Sequence, residues 1–371
     1  MIVCLLAASG VLVVGAYVSA FAAFVLLPIA IGFCGVRFFR NRSRHALPVK
    51  WSCVLAGNGL ILAFLLSLLF LGFESYYRFG CDQTDALTDT LVSTAWYARH
   101  FHTNSSGMRD NVNYANARTP GKRRVTFVGD SFTAGFGVKN VEARFVNRIR
   151  RLHPDWEVHA IAKPGLDTST ELLAMHNLTV SNHYELDQVV LVYNMNDIGE
   201  VMPQWIAEYK TLLADGFRKG WLCRNSYFVN LFYLRWQLQQ NAYLQNYFAE
   251  VVAAYQGPLW ETQKTGLSAF HNMTRIRGGR LLVVTFPFLH APLQFKSAHE
   301  QLDRFWEEQG VPRLDLLASF SNLPPARLVV NAHDAHPNEH AHALAAEVID
   351  EFLRRQITNH AAGDGKVPKA R

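Results

Sequence analysis

Residues 125–138 read VTFVGDSFTAGFGV. An apolar run climbs to Gly129, then Asp130 and Ser131 open a loop of small residues. Such a short run, ended by a glycine, reads as a buried strand. The stretches that follow keep alternating. NVEARFVNRIRRL (140–152) sets Val141, Phe145, Ile149 and Leu152 at helical spacing, with Asn140 placed to cap it. WEVHAIA (156–162) is a second strand and STELLAMHNL (169–178) a second helix. DQVVLVYN (187–194) and GRLLVVTFPF (279–288) are further strands, RLDLLASF (313–320) offers a fifth, and NEHAHALAAEVIDEFLRR (338–355) closes as a helix. Strands alternating with helices predict a parallel sheet covered on both faces. Such sheets place ligands beyond the carboxyl ends of their strands. Ser131, Gly165, Asn196 with Asp197, and Asp334 with His336 all fall just after a strand or just before the last helix.

Residues 198–276 interrupt the alternation. They are dense in aromatics, among them Trp205, Trp221, Phe232, Trp236 and Tyr247, and read as a mostly helical insertion after the third strand. Those rings supply the insertion's own core, or a face for sugar rings, an acyl chain or a membrane.

Half of the chain is hydrophobic. Residues 1–36 carry no charge, and neither do residues 51–73. A membrane span needs about 20 apolar residues, so both runs qualify. The first is too long for one upright helix and reads either as one long helix, tilted or kinked near Pro28, or as two short spans. A cleaved signal peptide fits less well, because the positive leading region is absent and the apolar stretch is too long. Between the runs, RFFRNRSRHALPVK (37–50) places Arg37, Arg40, Arg42, Arg44 and Lys50 with no acidic residue. Short loops of that kind stay in the cytoplasm. The second span then runs outward, and the chain after about residue 75 is expected on the outer, periplasmic or extracellular, side of the cytoplasmic membrane. Residues 74–122 read as a polar connector, and 356–371 as a flexible tail.

The formal charge of +6 comes from that loop and the tail. The basic balance therefore speaks for membrane topology and gives no argument for a nucleic-acid partner. Cys4, Cys34 and Cys53 fall in the apolar runs, as ordinary small apolar residues. Cys81 and Cys223 fall in the exported part, where an oxidising compartment permits a bridge between them. Asn104, Asn177 and Asn272 fit glycosylation tripeptides, which matter only in a secretory pathway.

A serine becomes a useful nucleophile when a histidine takes its proton, and a carboxylate usually orients that histidine. GDSF (129–132) after a strand resembles the first block of the SGNH (GDSL-type) hydrolase family. KPGLDTS (163–169) resembles the second, YNMNDI (193–198) the third and DAHPNEHAHALAA (334–346) the last, in family order over residues 123–355. NSSGMRD (104–110) is similar to the lead-in of membrane-anchored members. The resemblance implies a flavodoxin-like three-layer α/β/α domain without metal or cofactor. It implies Ser131 as nucleophile and His336 as general base, with an oxyanion hole formed by the Ser131 and Gly165 N–H groups and the Asn196 side chain. The family's acid lies three residues before the histidine. Here that slot is His333, so Asp334, two before, is the expected acid. Ala160 and Ala162 also stand where the family commonly has Asn and Gly. Asp197 is expected to support the loops, and His333, His340 and His342 to hold surface or supporting positions.

The expected activity is a membrane-anchored serine esterase acting on small acyl esters, acetyl groups on an envelope or extracellular glycan being the favoured substrate. An O-acyltransferase, passing the same acyl group to a sugar hydroxyl, is the alternative. A catalytically dead domain that binds glycan or a partner is the third reading.

Overall fold

A computed structural model describes residues 2–44, 50–85, 90–218 and 220–364. The chain divides into two compact units.

The first unit comprises Met1–Asp82, Asp89–Ala95 and Thr211–Gln240. A single continuous helix, Ile2–Arg44, carries Pro28 inside it. It runs on through the basic residues to Arg44, and residues 45–49 lie outside the described residues. A second helix, Trp51–Ser75, continues into a π-helical turn, Tyr76–Gly80. Segments Ala20–Arg44 and Trp51–Gly80 are long and apolar enough to cross a membrane. Their surfaces leave Leu26, Ile29, Phe33, Leu55, Leu65 and Leu69 exposed. Phe24 packs edge-on against Phe70, with ring centres 5.3 Å apart, and Phe21 against Phe79 at 5.0 Å. The unit also holds helices Gly220–Asn225 and Tyr227–Gln240. The aromatic segment 198–276 is thus divided. Residues 211–240 join the apolar helices, and 198–210 and 241–276 join the sheet.

Cys81 and Cys223 are both thiols, and no disulfide forms among the described residues. The bridge weighed from the sequence is therefore not made. Cys223 instead lies buried on its short helix, its backbone carbonyl accepting from Asn230 Nδ2 at 3.2 Å.

The second unit is built on five parallel strands: β1 (Arg123–Gly129), β2 (Trp156–Ala162), β3 (Gln188–Asn194), β4 (Arg280–Phe286) and β5 (Arg313–Asp315). Their order is β2-β1-β3-β4-β5, the doubly wound order of flavodoxin-like folds. Strands covered on both faces lose the alternation of a half-exposed sheet and read as continuous apolar runs. β1 and β3 do so, and successive side chains enter opposite cores. Val125 and Phe127 pack with Phe145, Ile149, Ala345 and Ile349. Val128, Val189 and Leu191 pack with Met175, Leu267, Leu302 and Trp306. The result is three layers. RLDLLASF keeps only Arg313–Asp315 as strand before a short helix, Leu317–Phe320. NVEARFVNRIRRL breaks at Arg144, which is extended. Asn140 caps a 3-10 turn, Val141–Ala143, and the helix proper is Phe145–Leu152.

The closing helix runs Glu339–Asp364, past Arg355, and residues 365–371 lie outside the described residues. A separate antiparallel hairpin, β6 (Val329–Asn331) and β7 (Asp334–Pro337), precedes it.

Candidate active site

Gly129 of β1 pairs with Ala162 of β2 and with Val192 of β3. The loops carrying Ser131, Gly165 and Asn196 therefore leave the sheet at the same carboxyl edge. β1 and β3 are also the strands between which this topology reverses direction, where ligands bind in open α/β sheets. Gly129 has no room for a side chain. A Cβ there would collide with Thr133 and stand 3.1 Å from the Val192 carbonyl. That close approach lets the chain turn at once from strand into the short helix Ser131–Ala134. Asp130 caps it, its carboxylate accepting from the Phe132 N–H at 2.8 Å.

Ser131 is 5% exposed. Its Oγ lies 2.8 Å from His336 Nε2. On the far side of the ring, Nδ1 lies 2.5 Å from Asp334 Oδ1. The spacing of acid and base has a strand-level cause. Asp334 and His336 both lie on β7, and residues two apart on a strand share a face. A residue three back would point the other way. His333 sits in the turn and is exposed. Asp334 is also held by the His336 N–H at 3.1 Å, and its second oxygen accepts from the Thr84 hydroxyl. Phe132 and Phe136 flank the imidazole, with ring centres 5.4 and 4.9 Å away.

The electrostatics follow from these neighbours. Burial alone would lower the pKa of His336, but the charge and hydrogen bond of Asp334, with Asp130 behind, raise it above its ordinary value. Burial pushes Asp334 up, and the His336 charge and hydrogen bonds override that and hold it low. An imidazole oriented at Nδ1 and facing a hydroxyl at Nε2 can take the hydroxyl proton.

Donors for a negative oxygen face the same edge. Gly165 has a φ of +80°, a left-handed conformation that favours glycine, and nothing lies within 4 Å of where a Cβ would be. The Ser131 and Gly165 N–H groups meet no protein acceptor among the described residues. Asn196 Nδ2 donates to Asp130 Oδ2 at 3.3 Å, which holds the amide beside Ser131 and leaves its second N–H. Asp197 supports the turn, accepting from the Asn194 N–H at 3.2 Å. Beneath this edge Glu171 is fully buried with neither carboxylate oxygen bonded to protein. Burial first, then the charge of Asp130, pushes its pKa well above the ordinary carboxylate range.

His340 is exposed. His342 is buried and accepts from the Phe145 N–H at 3.4 Å. Burial and the nearby arginines lower its pKa to about 3, so it packs as a neutral ring.

Two residues of this region escaped the sequence reading. Thr84 bonds to Asp334 across 250 positions, and no local signal marks it. Arg109 is fully buried and donates to the carbonyls of Ala134, Gly135, Val138 and Lys139, fixing the loop behind Ser131. It stands in NSSGMRD, the stretch already singled out, but its target lies some 26 residues on.

No family model matches the chain, and no curated protein matches it. Among solved structures it is similar to a lipolytic protein of the G-D-S-L family from Veillonella parvula, at 15% identity over 63% of this chain and 99% of that one, with a TM-score of 0.39. It is similar to a lipase/acylhydrolase from Enterococcus faecalis at 15% identity, covering 63% and 96%, TM-score 0.39. An acetyl xylan esterase from Geobacillus stearothermophilus aligns at 14% identity over 62% and 94%, TM-score 0.37. Likeness this remote carries no argument about activity.

Proposed function

We propose that the chain is a serine esterase tethered to a membrane by its apolar helices. The unbroken relay from Asp334 through His336 to the Ser131 hydroxyl carries the reading. Ser131 Oγ attacks the carbonyl carbon of an acyl ester as its proton passes to His336 Nε2. The carbonyl oxygen becomes an oxyanion facing the Ser131 and Gly165 N–H groups and the free N–H of Asn196. Preorganised donors of this kind are each worth on the order of 10²–10³ in rate. The tetrahedral intermediate collapses, the alcohol leaves with the proton from His336, and an acyl-serine remains. Water then gives its proton to His336 and attacks the acyl-serine, releasing the acid and Ser131. Asp334 keeps the ring oriented and stabilises the imidazolium. No metal or cofactor is called for.

The favoured substrate is a small acyl ester, an acetylated glycan in particular, reached on the outer side of the membrane. Arg37, Arg40, Arg42, Arg44 and Lys50, at the end of the first apolar helix and just before the second, support a cytoplasmic location for these helix ends. The full chain in detergent, offered p-nitrophenyl acetate, should release nitrophenol. Ser131→Ala should abolish release, a loss on the order of 10⁶-fold by analogy with other serine hydrolases. Equal rates in wild type and variant would sink the proposal. A sugar acceptor added to the same assay separates hydrolysis from transfer, because transfer leaves the acyl group on the sugar.

A further inference from the structure

Helices Gly220–Asn225 and Tyr227–Gln240 pack against the apolar helices through a charged core. Glu74 and Arg78 are both fully buried and bonded to each other at 2.8 Å. Glu74 also accepts from the Ser226 hydroxyl at 2.6 Å and from the Tyr227 and Phe228 N–H groups at 3.2 Å. Arg78 donates to the Asn225 carbonyl and lies over the Tyr227 ring at 4.6 Å. Rings close around this core: Phe228 stacks on Phe73 at 5.1 Å, Phe232 meets Tyr77 at 5.7 Å and Trp221 meets Phe24 at 5.5 Å.

The position of this core along the span is informative. Trp51–Gly80 is 30 residues long. At a rise of about 1.5 Å per residue it measures roughly 45 Å, against a hydrocarbon core of about 30 Å. With Lys50 and Trp51 holding its start at the cytoplasmic surface, its final turns, with Glu74 and Arg78, fall at the opposite polar boundary. A buried carboxylate needs several donors, and the start of helix Tyr227–Gln240 supplies them at that level.

What remains unexplained is the outer face. Tyr227, Leu231 and Leu234 already fill the inner side of the helix. Yet Phe232 and Trp236, one turn apart, are 44% and 53% exposed, and Trp221 and Leu222 are 49% and 44% exposed. A surface helix is normally polar on its outer side. Trp and Tyr rings favour the headgroup level of a bilayer, where an apolar ring body meets a polar rim. This aromatic face is continuous with the apolar helices through Phe24, Phe70 and Phe73.

We infer that residues 220–240 form an interfacial collar, seating Trp221, Leu222, Phe232 and Trp236 in the headgroup–acyl boundary of the bilayer that the apolar helices cross. The inference rests on the membrane-spanning reading given above and adds to it a second, in-plane lipid contact some 140 residues later in the chain.

The test uses the full chain, labelled with 5-fluorotryptophan, in nanodiscs of phosphatidylcholine and phosphatidylglycerol. Trp51→Phe, Trp221→Phe and Trp236→Phe assign three fluorine resonances. Nitroxide-bearing lipids should remove most of the Trp221 and Trp236 signal, and a water-soluble gadolinium chelate should leave it largely intact. Signals lost to gadolinium but kept with nitroxide lipid would overturn the collar. So would protection from both agents that disappears when protein is diluted with lipid, because a second copy would then cover the face. Trp51 separates this from failure of the anchor. If Trp51 is quenched by nitroxide lipid and the other two are not, only the collar is wrong. If none of the three is quenched, the spanning reading has failed, and the collar with it.

Discussion

Asp334 and Asp110 are both fully buried aspartates whose side chains are held charged by a cluster of partners. Asp334 faces one imidazole and one hydroxyl. Asp110 faces Arg144 at 2.8 Å, Arg150 at 2.6 and 2.7 Å, Asn147 at 3.3 Å and the Tyr114 hydroxyl at 2.5 Å. The difference lies in what the partners can give up. An arginine stays protonated throughout the working range, and an imidazole exchanges its proton near neutrality. A buried carboxylate among arginines fixes structure. The same group behind a histidine that meets a serine can support chemistry.

The sharpest way to break that contrast is to neutralise each aspartate in turn. Asp334→Asn should lower kcat by on the order of 10⁴-fold, because the amide favours the wrong imidazole tautomer. Thermal unfolding of that variant should move little. A full-rate Asp334→Asn enzyme would remove Asp334 from the relay. His333→Ala is the matched control and should leave kcat within about twofold, as an exposed substitution away from the machinery usually does.

Asp110→Asn should do the reverse. Leaving two arginines without their carboxylate costs about 3–5 kcal/mol, read as a lowered denaturant midpoint, while the rate per folded molecule stays near wild type. The pH dependence of stability sharpens this. Burial acting alone would raise Asp110, but its bonds and the arginine charges hold it far below the ordinary carboxylate value. Its contribution is therefore complete above the ordinary carboxylate pKa and is lost as pH falls through the depressed folded value. The stability gap between wild type and Asp110→Asn should be level near neutrality and close on acidification. A gap that widened in acid would contradict this account. His336 has the opposite sign. Its folded pKa is raised, so its stabilising contribution is present below the unfolded value and disappears as pH rises through the folded one. Ester hydrolysis, needing the neutral ring, should rise over that same upper range.

Of the changes expected to lower the rate, the smallest is at Thr84. Thr84→Val removes one hydrogen bond to Asp334. A bond to a charged group is worth about 1.5–3 kcal/mol, so a fall in kcat of roughly tenfold to a hundredfold is expected, with KM unchanged. A change in KM alone would argue that Thr84 serves binding instead.

The parts of this molecule that were legible in its sequence are those set by short-range pattern. β1, β3 and β4 carry mostly apolar stretches, VTFV, VVLVY and LLVV, because both faces of the sheet are covered, and that is visible in sequence. The proximity of Asp334 to His336 depends on two-residue strand spacing, equally local. Other features depend on contacts between distant segments. Thr84 meets Asp334 across 250 positions, and Ser226 meets Glu74 across 152. Residues 74–122 looked like a connector because their turn formers dominate. Yet they carry helix Leu91–His100 and the buried Arg109 and Asp110. The aromatic insertion looked uniform, because nothing in its composition marks where residues 211–240 part from 241–276.

One consequence follows from the hairpin that bears Asp334 and His336. The acid and the imidazole are two residues apart on one short strand, so their alignment is inherited from local backbone geometry. Ser131 is placed by the sheet, through a different part of the chain. Ageing, heat or crowding that displaced the hairpin would uncouple the serine first and leave acid and base still engaged. A preparation could then lose its turnover while its His336 ring, still paired with Asp334, went on titrating at a midpoint moved by the loss of burial and of the Asp130 charge. The ratio of these two signals would date the damage, distinguishing protein that has slipped out of register from protein that has unfolded.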